Sequence, residues 1–77
     1  MSNTTTVYVE LLDEGVDAWR PVLAQPVSGD VYRLIGEIPD GETWLFAPGD
    51  LVRCELRPLM GDDNRLERVL VASQRVT

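Results

Sequence analysis

Glu10, Asp13, Glu14 and Asp17 crowd four carboxylates into eight consecutive positions, and Asp62-Asp63 adds an acidic pair after Gly61. Oxygen donors at that density suit a divalent cation, or two carboxylates sharing acid–base work. Neither chemistry is spelled out by the spacing. A calcium loop alternates its donors as D-x-D-x-D-G, and the first cluster does not. Paired-carboxylate hydrolysis needs a cleft between the two groups, which so small a chain seldom encloses. Both clusters read as solvated hairpin tips, with no metal and no cofactor expected.

Other catalytic types are missing. The chain has no His and no Lys, and all seven cations are Arg. That removes the commonest base and metal ligand, and with lysine go Schiff-base and P-loop chemistry. Cys54 is the single thiol. It alternates with apolar neighbours, and no imidazole exists to take its proton, so it reads as a core thiol. The expectation is a protein that is not an enzyme. A net charge of −6 argues against gripping nucleic acid through phosphates, which needs clustered cations. It suits a basic partner, or mimicry of an acidic polymer.

The five large rings are more informative: Tyr8, Trp19, Tyr32, Trp44 and Phe46. On the outside of a small barrel, rings make platforms for peptides or bases; inside, they supply most of the core. Trp19 shares a face with Asp17, Pro21 and Leu23, opposite Ala18, Arg20 and Val22. Simple alternation therefore cannot place Trp19 and Trp44 both inside. The candidate binding surface is Trp19, Arg20 and Trp44, with Glu10, Asp13 and Glu14 setting its charge preference. Arg20 is placed to cover a ring or to bridge to a hairpin acid.

The elements that must position these residues are short and β-rich. In 6–12, Val7, Val9 and Leu11 alternate against Tyr8, Glu10 and Leu12, the period of a half-buried strand. Residues 13–15 then turn the chain. A second strand, 16–25, meets Pro21, which lacks the N–H a ladder needs and so belongs at an edge or a bulge. A turn at 26–30 leads to a strand over 31–38, and 39–42 has the composition of a tight hairpin loop. A short strand at 43–46 precedes the turn 47–50, where Pro48-Gly49 suits the centre of a type II turn and Asp50 can bond back to it. In 51–59, Val52, Cys54 and Leu56 oppose Arg53, Glu55 and Arg57. After a turn at 60–64, 65–76 has helix formers but also Val69, Val71 and Val76, and it reads as a last strand.

Five or six short strands with turn chemistry between them predict an all-β, small antiparallel barrel, and the length favours an SH3-like barrel over an OB-fold. Residues 1–5 read as a disordered polar tail and 6–77 as one domain. A domain of this size hides roughly 60% of its unfolded surface and has about 4–12 kcal/mol of stability. The amino terminus has no charged or apolar leader signature, and no apolar run nears the ~20 residues of a membrane helix. A cytoplasmic protein is expected.

The blocks VYVELLDEGVDAWRPV (7–22), YRLIGE (32–37) and ETWLFAPGDLVRCEL (42–56) resemble a group of short bacterial hypothetical proteins with the patterns V-x-L-L-x-E-G-x-x-x-W-R-P-V and W-x-F-x-P-G-D-x-V-R-C-E. The resemblance spans roughly residues 7–57. It implies a free-standing small domain and assigns no residue a role.

Together these readings favour a non-catalytic protein-binding module for a partner that is basic in character. Two alternatives stay open: an acidic inhibitor or nucleic-acid mimic, and single-stranded nucleic-acid binding, which the charge weakens. No membrane partner is expected. A monomer or weak homodimer is, the latter through the Pro21 edge or the last strand.

Overall fold

The computed structural model describes residues 3–12, 18–60 and 65–76, with only the backbone of Met60. Strands β1 (Thr5–Glu10), β2 (Trp19–Ser28), β3 (Val31–Leu34), β4 (Leu51–Met60) and β5 (Leu66–Arg75) follow in order. They form a closed all-β barrel in the order β1-β2-β3-β4-β5, compatible with a small SH3-like barrel. Neighbours along the chain pair antiparallel. The barrel closes through a parallel contact between β1 and β5, at Tyr8 and Val71.

The alternation in the sequence sets the inside of the barrel. Val7, Val9, Val22, Ala24, Leu34, Val52, Cys54 and Ala72 are buried together, which is how a period-2 pattern buries one face. Among the described residues no polar or charged side chain is buried.

Three boundaries differ from the sequence reading. β2 runs on through Pro26 to Ser28, and a register shift between those two residues lets Gly29-Asp30 make the turn. β3 stops at Leu34, not 38. Residues 43–46 are not a strand, and only Trp44 bridges to Leu11.

Alternation also misplaces Leu56. It shares the parity of buried Val52 and Cys54 but is 61% exposed. The reason is length: β3 reaches only Arg53 of β4, while β4 and β5 stay paired out to Met60 and Leu66. The outer half of that hairpin pairs as a two-stranded arm, and among the described residues Leu56 and Leu66 stay exposed on it.

The prolines fall where their missing N–H is not needed. Successive strand residues direct their N–H and C=O to opposite neighbours. Leu23 C=O accepts from Ile35 N–H at 3.0 Å, so Pro21 also faces the β3 side, and β2 does not pair with β3 until Ala24. Pro21 is therefore at an edge, as its chemistry requires. Cys54 N–H donates to Asp30 C=O at 2.8 Å, which turns Pro58 toward the β3 side of β4 as well, but beyond the other end of β3, past Val31.

Candidate functional site

Sixteen residues, 35–50, join β3 to β4 without a strand of their own. Loops of that length are uncommon in compact domains and usually functional. This one is tied down at three places. At its start, Ile35 N–H donates to Leu23 C=O at 3.0 Å. In its middle, Leu12 N–H donates to Thr43 C=O at 2.8 Å and Leu45 N–H to Glu10 C=O at 2.9 Å. At its end, Asp50 N–H donates to Ala47 C=O at 3.0 Å, and the Asp50 carboxylate accepts Ala47 N–H at 2.9 Å. Gly49 has φ 93° there, the left-handed geometry that a type II turn demands of its third residue. The expected Pro-Gly-Asp turn is present, and Arg75 adds a bond to Asp50 at 3.1 Å.

So anchored, the loop sends Trp44 and Phe46 into the core cluster. Trp44 is 8% exposed, and its indole N–H donates to Glu42 Oε1 at 3.0 Å. The same Oε1 accepts Arg20 Nε–H at 3.1 Å, and Arg20 Nη2 pairs with Oε2. Guanidinium and carboxylate thus meet side-on with two contacts, the strong geometry for such a pair. The bond from Arg20, then that from Trp44, holds the Glu42 carboxyl below the usual carboxylate range, and partial desolvation opposes them.

Between β2 and the first part of the loop lies an open groove of about 210 Å³, lined by Arg20, Pro21, Val22, Leu23, Ile35, Gly36, Glu37, Pro39 and Trp44. It exists because β2 has ten residues and β3 only four. The first half of β2 has β1 on one side and a loop on the other. Leu23, on the outer face, is 54% exposed. Glu37 is exposed at the groove, and no hydrogen bond or ion pair engages it among the described residues.

Arg20 and Trp44 come together here, both bonded to the Glu42 carboxylate. Trp19 takes the opposite face of β2, half-buried and across from Glu10 in β1, and it does not line the groove. The two tryptophans do not share a platform. Asp13 and Glu14, with Asp17 and the 62–63 pair, lie outside the described residues. Leu23, Ile35, Glu37, Pro39 and Glu42 were missed. The one available signal was Leu23, an apolar residue on the outward parity of its strand.

Cys54 is buried, and burial, with the charge of Asp30 second, pushes its thiol up to about 11. It is a protonated core group at neutral pH. Among the described residues no three His, Cys, Asp or Glu side chains gather as metal ligands would, and no helix is long and apolar enough to cross a membrane. Compared with known families, curated proteins and solved structures, the chain matches none.

Proposed function

We propose that the protein is a non-catalytic protein-binding module whose contact surface is the groove between β2 and residues 35–39. The observation that carries this reading is the open apolar groove itself, with Pro21, Leu23, Ile35 and Pro39 on its walls and Trp44 at its base. Apolar surface gathered beside a sheet edge and rimmed by charge is the usual anatomy of a docking site. Its volume is below the ~300–1,000 Å³ of small-molecule pockets, so side chains of a partner suit it better than a cofactor.

The test places a photo-crosslinking residue at Leu23 and, as control, at Gln74, exposed on β5 away from the groove. A partner captured from native lysate at position 23 and lost in Ile35→Asp supports the reading. Equal capture from both positions, or capture indifferent to Ile35→Asp, defeats it.

A second reading, an acidic blocker of a basic partner, draws on charge segregation. Residues 1–50 hold nine acids and two arginines, whereas 51–77 hold four acids and five arginines. Its sign would be association abolished by salt, since such binding is mostly steering and screening.

A further inference from the structure

We infer that the groove takes an extended segment of a partner protein in which an arginine or lysine stands close to an apolar residue. This rests on the binding-module reading and names what that site recognises.

The backbone argument comes first. Pro21 faces the groove side of β2 by the same alternation that points Leu23 C=O at Ile35. Its carbonyl is an acceptor in a stretch where β2 has no β3 partner, and proline offers no donor beside it. The edge is therefore acceptor-only at this point. What completes it is a ligand with an amide N–H to give, as the backbone of an extended peptide does in strand addition.

The side-chain argument comes second. A volume of about 210 Å³ admits one or two side chains, and the walls formed by Leu23, Ile35 and Pro39 are apolar.

Charge comes third. Arg20 is the cation among the lining residues, and Glu42 accepts both of its contacts described above. Glu37 lines the groove and has no ion pair among the described residues. Asp40 follows Pro39, and Glu10 sits across from Trp19. Elsewhere three carboxylates have arginine partners: Asp30 with Arg53, Glu55 with Arg57, and Asp50 with Arg75. Counting Arg20 and the exposed Arg33 of β3 against Glu10, Glu37, Asp40 and Glu42 leaves the surroundings of the groove net acidic, and a cation next to the apolar anchor is complementary to that charge.

The experiment titrates the ¹⁵N-labelled full chain with synthetic octapeptides of Ser, Thr and Gly that hold one Leu. A single Arg is placed one or two residues to either side of the Leu, and a matched set carries Glu in place of Arg. Arg peptides should shift the amides of Val22, Leu23, Ile35 and Glu37 and the Trp44 indole, and bind about tenfold more tightly than Glu peptides. Glu37→Lys, an exposed change that leaves the core alone, should reverse that preference. N-methylating the peptide around its Leu should weaken binding wherever it removes the N–H given to Pro21. Equal binding of Arg and Glu peptides overturns the inference and leaves the module reading standing. Shifts confined to other surfaces, or no shifts with any peptide, also overturn it, and the crosslink at Leu23 then judges the module reading separately.

Discussion

Trp44 and Arg20 are 24 positions apart in the chain and share one oxygen, Oε1 of Glu42, at 3.0 and 3.1 Å. One carboxylate thereby fastens a core ring of the loop to the inner face of β2. The pair is partly open to solvent, so its main effect is placement, not stability. Glu42→Ala should shift Trp44 emission to the red and speed exchange of its indole proton, with Trp19 unchanged. An indole signal identical to wild type would show that packing alone seats Trp44.

The pH dependence of that latch has a definite sign. Because the folded carboxyl of Glu42 is held below its usual value near 4.5, its contribution is complete above that value. It is lost as pH falls through the depressed folded value. The Trp44 indole resonance should therefore hold constant down to about pH 4.5 and move only in stronger acid. A midpoint above the ordinary glutamate value would contradict the geometry.

The two tryptophans should respond differently to truncation. Trp44→Ala removes a buried ring and should cost about 3–5 kcal/mol, much of the total for a domain of this size. Trp19→Ala, half-buried on the outer face, should cost about 1–2 kcal/mol. Urea unfolding monitored by circular dichroism measures both, and equal losses would place Trp19 in the core.

Cys54 should resist modification. With its thiol near 11, only about one molecule in a thousand is ionised at pH 8, so disulfide reagents should react slowly unless the chain is unfolded. Stability should be unaffected by this group below about pH 9. It should fall as the pH rises from there toward 11, because the unfolded thiol ionises first. Rapid labelling of the native protein at pH 8 would overturn the buried assignment.

Pro58 guards an edge. It lies on the open side of β4, near Leu56 and Leu66, which are 61% and 68% exposed. A long apolar edge invites pairing with another chain, and proline is one of the standard obstacles. Pro58→Thr restores an N–H and adds β-propensity. It should raise self-association with concentration, as read by light scattering after size exclusion. Unchanged mass across a tenfold concentration range would assign Pro58 no such role.

What the sequence made legible followed from local rules. Val7, Val9 and Leu11 were placed correctly because alternation alone decides them, and β5 emerged as a strand because β-branched residues outweighed its helix formers. Leu56 was misplaced because alternation gives a face but not what covers it, and β3 is too short to reach that far. The strand expected at 43–46 is reduced to a single bridge, Leu11 to Trp44, because it meets β1 only past that strand's end at Glu10. Arg20 and Glu42 are 22 residues apart, and no local spacing announces such a pair. The groove was hidden for the same reason, since it arises from unequal strand lengths and not from any motif.

The parallel seam between β1 and β5 constrains how this chain could be rewired. In an all-antiparallel barrel with adjacent first and last strands, the two ends emerge side by side and a two- or three-residue splice joins them. Here Tyr8 meets Val71 with both strands running the same way, so Thr5 and Arg75 sit at opposite ends of the barrel. At ~3.3 Å per residue, the three residues before Tyr8 and the four after Val71 separate them by roughly 23 Å. A circular permutant needs at least about seven residue steps between Arg75 and Thr5 to cross the outside of the wall. A splice that joined Arg75 to Thr5 through only two residues would have to tear the seam that closes the barrel.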